Sequence, residues 1–269
     1  MKAGAIRLRV ISLKGSARRE RVAQALARVA LPWSFFDASN GSQSAIPYDP
    51  SAAEALWGRP LSAGEIGCFA SHVGVLREFV EEGDGSWLLV MEDDVTLDPA
   101  FPFGRLAELG EASGVDYFRL YGRYLIRFRH VGWFCDRQIV RFRGKPLGTQ
   151  AYLISRAGAR SFLDSVERIE RPVDHEIDRA WANGLDCYSV YPHPAFELSS
   201  PTSVDKRGIL AGRPVGDRIR TFAWRVEERL RREWHELAAR RSDLRLRQAL
   251  ALMQESPPEP AIREVVTPG

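Results

Sequence analysis

The sequence contains few cysteines and no long run of apolar residues. No segment approaches the roughly eighteen consecutive apolar residues of a membrane-spanning helix, and the N-terminus has no signal-peptide core. We therefore expect a cytoplasmic protein. Cys68, Cys135 and Cys187 stand far apart without a CxxC pair, which argues against a zinc knuckle or a disulfide framework and predicts buried free thiols.

A large excess of one charge is also lacking. The chain of 269 residues carries a net charge of +3 and is 45% hydrophobic, which predicts a soluble protein with one large core or two modest ones. The charge is unevenly distributed, because residues 119–145 hold seven arginines and one lysine against the single acid Asp136.

Predicted strands alternate with predicted helices along the first two hundred residues. Hydrophobic periodicity predicts strands at 6–13, 87–91, 116–122, 149–155 and 187–191. Helices are expected after Ser16, after a capping box formed by Ser62 and Glu65, and from Pro172 to Gly184. A further helix is expected directly after the strand at 149–155, with Ala159, Phe162, Leu163 and Val166 in register. This order predicts an α/β fold with a Rossmann-type, mostly parallel sheet flanked by helices. We expect a catalytic domain at 1–205, an Arg-rich helical extension at 206–255 and a flexible Pro-rich tail at 256–269.

Three neighbouring acids, Glu92, Asp93 and Asp94, end the buried strand WLLVM. Ligands of α/β sheets bind beyond the carboxyl ends of strands, and an extended backbone would direct Glu92 and Asp94 to the same side. Two converging carboxylates suit a hard cation such as Mn²⁺ or Mg²⁺, and a nucleotide diphosphate could complete its ligand shell. The alternative is a solvated acidic turn before Asp98 and Pro99.

Several ordered motifs resemble glycosyltransferase family 25, the lipopolysaccharide and lipooligosaccharide galactosyltransferase family. They are ISLKGSARRERVAQAL, LPWSFFDA, LSAGEIGCFASHVGVLREFV, LLVMEDDV, GTQAYLISRAGARSFL and RPVDHEID, and together they span roughly residues 6–205. The resemblance implies a GT-A-like fold and a nucleotide-sugar donor, usually UDP-galactose. It also implies an inverting transfer that depends on a divalent metal, typically manganese.

The resemblance further implies roles for individual residues at the metal. Asp94 matches the last acid of a DxD-like motif and is the expected metal ligand together with Glu92, while Asp93 either assists or contacts the donor ribose. His193, in YPHPAF, is a candidate for a further metal ligand; the alternative is an ordinary loop histidine.

Four more residues are expected to contact the donor. Ser12 and Arg18 lie where the first strand gives way to the first helix, where a nucleotide can meet a helix N-terminus and a guanidinium group. Ser71 and His72 form the SH pair of GEIGCFASH. The alternatives are a strand end for Ser12, a solvent-facing arginine for Arg18, and a buried histidine bonded to the backbone for His72.

Asp174, in RPVDHEID, is the candidate general base. An inverting transfer needs a carboxylate that accepts the proton of the acceptor hydroxyl. An acid in the first turn of a helix also simply stabilises the helix, and His175, Glu176 or Asp178 could hold the role instead.

Two basic regions suggest partners. Residues 121–145 mix arginines with aromatic side chains and would suit an anionic glycan acceptor, such as a phosphorylated lipopolysaccharide core; the alternative is a two-stranded ribbon with a solvated basic face. Residues 217–250 hold ten arginines, six acids, Trp224 and Trp234. Such a helix could make peripheral contact with a lipid surface on the inner face of a membrane, or pack on the catalytic domain or on another subunit.

Two other classes of protein compete with this interpretation. A Mg²⁺-dependent phosphohydrolase also needs acids at a strand end, but the first strand ends in ISLKG without an acidic nucleophile. A nucleic-acid-binding module would explain the interleaved basic and aromatic residues. However, the acids at 92–94 would repel a phosphate backbone and no P-loop, zinc-finger or RNP motif is present, so we expect no nucleic-acid partner.

Overall fold

The computed structural model describes residues 6–41, 45–82, 85–198 and 215–255. Its centre is an eight-stranded mixed sheet formed by β1 (Ile6–Ser12), β2 (Trp33–Asp37), β3 (Trp87–Glu92), β5 (Tyr117–Arg119), β6 (Phe128–Phe134), β7 (Arg137–Phe142), β8 (Ala151–Ser155) and β9 (Tyr188–Tyr191). The strand order is β2-β1-β3-β8-β5-β9-β7-β6. A separate two-stranded ribbon pairs β4 (Val95–Leu97) with β10 (Ala195–Glu197) in antiparallel orientation.

Strands β7 and β8 run against the other six strands of the main sheet. Helices cover both faces: α1 (Arg18–Leu26), α2 (Pro50–Trp57), α3 (Ala63–Glu82), α4 (Phe103–Ser113), α5 (Arg156–Ser165), α6 (Val173–Ile177), α7 (Ala180–Asn183), α8 (Val215–Ala238) and α9 (Arg240–Glu255). The predicted α/β architecture, a mostly parallel sheet flanked by helices with a helical C-terminal extension, is confirmed.

The central strand β3 separates two hydrophobic cores. Leu89 and Met91 face the layer formed by α1, α4 and α9, whereas Leu88 and Val90 face the layer formed by α3 and α5. Successive side chains of a strand point to opposite faces, so a strand that is covered on both sides must be apolar at every position. This requirement explains the unbroken WLLVM run. Because the run is buried in the sheet, the acids that follow it lie at the edge of the sheet.

Local signals located several elements correctly. The capping box forms as expected, because Ser62 N–H donates to Oε2 of Glu65 over 2.9 Å and Glu65 N–H donates to Oγ of Ser62 over 3.2 Å. Residues 128–142 form the antiparallel strands β6 and β7, but β7 also pairs with β9, so they belong to the main sheet and are not the separate two-stranded ribbon that was the alternative for the basic stretch. Arg141 of β7 is buried, so the basic side chains are not all solvated either.

Other expectations were wrong. The segment from Pro172 to Gly184 forms two short helices, α6 and α7, and strand β10 follows the strand expected to be last. The thiols differ in burial, since Cys187 is buried but Cys68 is only half-buried and Cys135 is exposed.

The helical extension packs against the sheet domain. Glu228 of α8 is buried and accepts ion-pair contacts from Lys145 at 2.9 Å, Arg179 at 2.9 Å and Arg171 at 3.2 Å. Helix α9 contributes Leu246 and other apolar side chains to the core beside α4. The domain limits at 205 and 255 stay predictions, and residues 206–214 and the expected tail at 256–269 lie outside the described residues.

Candidate active site at the carboxyl ends of strands β1 and β3

Asp93 lies where β1 and β3 end side by side. Its Oδ2 atom accepts hydrogen bonds from Ser12 over 2.7 Å and from Ser16 over 3.3 Å, and its Oδ1 atom lies 3.1 Å from the guanidinium of Arg18. Three residues expected to contact a donor, Ser12, Arg18 and Asp93, are therefore brought together. Because Arg18 and two hydroxyls surround it, the charge of Asp93 is compensated within the protein.

Glu92 binds two residues of neighbouring elements. Its Oε1 atom accepts a hydrogen bond from Thr149 over 3.1 Å and lies 3.3 Å from Nε2 of His72. The other ring nitrogen of His72, Nδ1, lies 3.0 Å from the hydroxyl of Tyr152. His72 is thus buried and held on both sides by side chains, not by the backbone bond that was its alternative.

Asp94 differs from both of its neighbours. Its Oδ1 atom is buried, and the described residues provide no hydrogen-bond partner for it. Burial and, to a smaller extent, the charges of Glu92 and Asp93 raise the pKa of this carboxyl group to about 7, while the charge of Arg18 opposes them. A buried carboxylate oxygen without a partner is costly, and a bound cation would satisfy it. The donor set at this position therefore fits a hard divalent ion.

Asp174 lies close enough to Cys68 for its charge to act on that thiol, as do the charges of Glu92 and Asp94. Burial chiefly raises the pKa of the Cys68 thiol well above its usual value, and the charges of Glu92, Asp174 and Asp94 add to this effect. Asp174 itself is buried, and its Oδ2 atom accepts a hydrogen bond from Gly148 N–H over 3.4 Å. Among the described residues it forms no ion pair, so its carboxylate is available for chemistry.

The other titratable residues of RPVDHEID have structural partners. Asp178 forms a buried ion pair with Arg119 and accepts a hydrogen bond from Leu147 N–H over 3.1 Å. Glu176 binds Arg171 at 3.1 Å and Arg179 at 2.8 Å. The ring of His175 packs edge-on against Trp57. Asp174 therefore remains the best candidate for a base within this motif.

A cleft of about 480 Å³ opens beside the ends of β1 and β2. It is lined by residues 13–14, 36–40 and 45 and by Ala70 and Ser71 of α3. The hydroxyl of Ser71 donates to the carbonyl of Gly67 over 2.6 Å and accepts from Ser39 N–H over 2.9 Å. A Cβ atom on Gly67 would lie 2.6 Å from the carbonyl oxygen of Ser39, so only glycine lets this loop approach the helix. Ser71 and Gly67 thus shape the cleft wall.

His193 follows β9 and is anchored by its own strand. Its Nδ1 atom lies 3.0 Å from the carbonyl oxygen of Val190, and burial lowers its pKa to about 4, with help from the charges of Arg119 and Arg137. The ring is therefore neutral at physiological pH, as a metal ligand must be. However, the group of three potential ligands that converges within the described residues consists of Cys68, His72 and Glu92. A metal-binding role for His193 stays a prediction.

Two polar residues at the site were missed by sequence analysis. Thr149 binds Glu92, and Glu197 accepts a hydrogen bond from the Tyr121 hydroxyl over 3.0 Å while its charge acts on Asp94. Glu197 is brought close to Asp94 because β10 pairs with β4, which begins at the next residue, and both of these strands have only three residues. Such short strands leave no periodic signal in a sequence.

Comparisons with known proteins agree with this picture. The model of "Glycosyltransferase family 25 (LPS biosynthesis protein)" matches residues 6–177. A glycosyltransferase 25 family member of Aedes aegypti is 28% identical over 60% of this chain and 28% of that protein. The lacto-N-neotetraose biosynthesis glycosyltransferase LgtB of Neisseria meningitidis is 31% identical over 63% of this chain and 65% of that protein. A relative from Bos taurus, 30% identical over 55% of this chain and 27% of that protein, is described as probably inactive.

The match covers only part of these relatives. This chain spans about a quarter of the length of the insect and bovine proteins and about two thirds of LgtB. Similarity to a family that contains inactive members does not by itself establish activity, so the side chains of the site have to carry that argument.

Proposed function

The chain belongs to glycosyltransferase family 25, and on this premise we propose that it transfers a hexose from a nucleotide sugar to a glycan. The donor is a UDP-sugar, most simply UDP-galactose, the acceptor is a lipopolysaccharide or lipooligosaccharide core, and the anomeric centre is inverted. The observation that carries the proposal is the buried, unpartnered Oδ1 atom of Asp94 beside Glu92. A buried carboxylate oxygen without a partner costs stability unless a ligand such as a cation satisfies it.

A divalent cation, Mn²⁺ or Mg²⁺, fits the acids at the end of β3. Glu92 and Asp94 would hold it, with His193 as a further ligand. When bound, the ion would neutralise the diphosphate and make it a better leaving group. Asp93 cannot easily exchange its partners for an ion, because Ser12, Ser16 and Arg18 already satisfy both of its oxygens.

The donor nucleotide is proposed to occupy the cleft beside β1 and β2. Leu13, Lys14 and Ser71 line this cleft. Ser12, Arg18 and Asp93 are bonded to one another directly before Leu13, at the side of the acids, while His72 is buried in α3 next to Ser71. Helix α1 begins at Arg18, so its first N–H groups and this guanidinium favour a negatively charged phosphate at the same point. Asp93 would hold the Arg18 guanidinium in place as the diphosphate binds.

Asp174 is proposed as the general base. The acceptor hydroxyl would transfer its proton to the carboxylate of Asp174 while its oxygen forms a bond to the anomeric carbon. The bond from that carbon to the diphosphate breaks on the opposite face, which inverts the configuration. Gly148 N–H would orient the carboxylate through its hydrogen bond to Oδ2.

An anionic acceptor is proposed to meet the basic stretch that follows β5. Several of its arginines are committed to structural ion pairs, notably Arg129 with Asp243, Arg137 with Asp98 and Arg141 with Asp186. Arg123, Arg127 and Arg143 are exposed, as is the ring of Tyr124. These side chains could bind phosphate and sugar groups of the acceptor.

Helix α8 is proposed to contact a lipid surface on the inner face of the membrane. Val226, Leu230, Trp234 and Leu237 are exposed and fall on one side of the helix, opposite the buried Glu228. Trp224 does not join this stripe, because its ring packs under the guanidinium of Arg171. In the described part of the chain, no helix is both long and apolar enough to cross a membrane.

The proposed function is tested with purified protein and a panel of nucleotide sugars, each with and without Mn²⁺. Selective thermal stabilisation by one UDP-sugar plus Mn²⁺, slow hydrolysis of that donor, and loss of both in Asp94→Asn support the transferase. Indifference to every donor would contradict it. Release of phosphate from phosphomonoesters would favour the phosphohydrolase, and tight oligonucleotide binding would favour the nucleic-acid module.

A further inference from the structure

A second group of potential metal ligands lies next to the acids. The Sγ atom of Cys68, a ring nitrogen of His72 and a carboxylate oxygen of Glu92 all lie within 4.8 Å of one another. Helix α3 places Cys68 and His72 four residues apart, on the same face, and β3 ends at Glu92 opposite them. The separation of Nε2 and Oε1, 3.3 Å, suits two atoms that bind one ion.

Two further residues hold these ligands in position. The Tyr152 hydroxyl lies 3.0 Å from Nδ1 of His72, so it fixes the ring and leaves Nε2 directed at Glu92. Thr149 donates a hydrogen bond to the carboxylate of Glu92 over 3.1 Å. Hydrogen bonds of this kind orient ligands in metal sites and raise their affinity. His72 and Tyr152 are both fully buried, so the arrangement is part of the core and does not depend on a mobile surface.

We propose that Cys68, His72 and Glu92 form a zinc-binding site with a fourth position open to water or ligand. One sulfur, one nitrogen and one oxygen are a ligand set typical of Zn²⁺, whereas a soft thiolate is a poor ligand for the hard ions Mn²⁺ and Mg²⁺. Cys68 would bind zinc as a thiolate, so the thiol proton would be released to solvent on binding.

The zinc site shares Glu92 with the proposed site of the donor's metal ion. A zinc ion bound to Glu92 would place a second positive charge beside the proposed ion at Asp94, and the two cations would repel each other. Zinc is therefore expected to weaken the binding of Mn²⁺ and a UDP-sugar. This consequence rests on the proposed function, but zinc binding itself does not.

The experiment uses Co²⁺ as a spectroscopic substitute for Zn²⁺ in the full chain. Wild-type protein should show the near-ultraviolet absorption of a thiolate bound to cobalt, and Zn²⁺ should abolish this absorption at one equivalent. Cys68→Ser should lose the band and bind Zn²⁺ at least ~10-fold more weakly. Cys135→Ser, which removes an exposed thiol far from the acids in sequence, is the matched control and should keep the band.

The outcomes separate the zinc site from the proposed function. A wild-type protein without the band, or a Cys68→Ser protein that keeps it, overturns the zinc site. If Cys68→Ser does not fold, His72→Gln replaces it with the same expected loss. If the wild-type protein shows the cobalt–thiolate absorption but does not respond to any nucleotide sugar, the zinc site is supported and the proposed function fails.

Discussion

The hydroxyl of Ser12 donates a 2.7 Å hydrogen bond to Asp93, and this bond joins the ends of the parallel neighbours β1 and β3. The Ser12 hydroxyl and the Arg18 guanidinium together compensate the charge of Asp93, one of the three neighbouring acids. Asp94, the next residue, keeps a buried oxygen without any partner among the described residues. Two adjacent aspartates thus have opposite roles, since Asp93 stabilises the fold while Asp94 is held in a state that suits a bound cation.

Substitution of these two aspartates should change stability in opposite directions when metal is absent. The pKa of Asp94 is raised to about 7 in the folded protein, so the folded state binds this proton more tightly than the unfolded state. Stability should therefore fall as pH rises from about 4 to 7. The Asp94→Asn variant should not show this loss of stability, so its free energy of unfolding at pH 7 should exceed that of the wild type by roughly 1–3 kcal/mol.

Asp93→Asn is the matched comparison for this measurement. It breaks the ion pair with Arg18 and should cost about 1–3 kcal/mol, because a charge-assisted hydrogen bond is lost. Urea denaturation of both variants at pH 5 and pH 7 checks the signs. Equal destabilisation of the two proteins at pH 7 would show that Asp94 has a compensating partner.

Asp174→Asn should abolish transfer without affecting donor binding. Loss of a general base typically lowers the rate by about 10²–10⁴-fold, and the amide keeps the shape and the hydrogen bond from Gly148. The measurement is the rate of sugar transfer together with thermal stabilisation by UDP and Mn²⁺. Unchanged transfer would exclude Asp174 from the role.

Asp178 provides a contrast within the same motif. Asp178→Asn leaves Arg119 buried without a full counter-charge, so it should lower stability by about 3–5 kcal/mol. If an Asp178 variant folds normally but lacks transfer activity, the general base is Asp178 and its assignment to Asp174 is wrong.

Filling the cleft beside β1 and β2 should block the nucleotide. Ala70 lines this cleft on α3, and Ala70→Leu would occupy part of its volume of about 480 Å³. We expect UDP to bind at least ~10-fold more weakly, while stability changes little because the added atoms face an open cleft. Isothermal titration of UDP with Mn²⁺ measures this.

Ala112→Leu is the control for steric effects elsewhere. Ala112 lines a groove between α4 and α9, which shares no lining residue with the cleft, and the same substitution there should leave UDP affinity unchanged. If Ala70→Leu behaves like Ala112→Leu, the nucleotide does not bind in the cleft.

The exposed stripe of α8 should determine binding to lipid. Leu230→Ser combined with Trp234→Ser removes the two most exposed apolar residues of this stripe and should reduce sedimentation with vesicles that contain phosphatidylglycerol. Leu252→Ser, at an exposed position on α9, is the control and should sediment like the wild type. Identical sedimentation of all three proteins would argue against contact through α8.

Sequence signals that act over a few residues predicted much of the sheet and the site. The apolar run of β3, the capping box at Ser62 and the motif resemblance located Ser12, Arg18, Asp93 and Glu92 close together. Pairing between distant segments was not predictable in the same way. The reversed direction of β7 and β8 and the position of Glu197 depend on which strands become neighbours, and no periodic pattern records that choice.

The helix predicted from Pro172 to Gly184 shows a second limit. Its apolar and polar residues favour a single helix, but the break falls at Asp178, whose side chain turns inward to the buried guanidinium of Arg119. The partner of Asp178 lies 59 residues earlier in the chain. A tertiary ion pair of this kind overrides local helix preference, and sequence spacing alone cannot reveal it.

The most direct test of the central claim is the position of Mn²⁺ in a crystal grown with manganese and UDP, located by its anomalous scattering. We predict one peak within coordination distance of a carboxylate oxygen of Asp94, at roughly 2.1–2.3 Å, with a UDP phosphate oxygen on the same ion. Ordered UDP without a peak at Asp94, or a peak bound only by other side chains, would contradict the account.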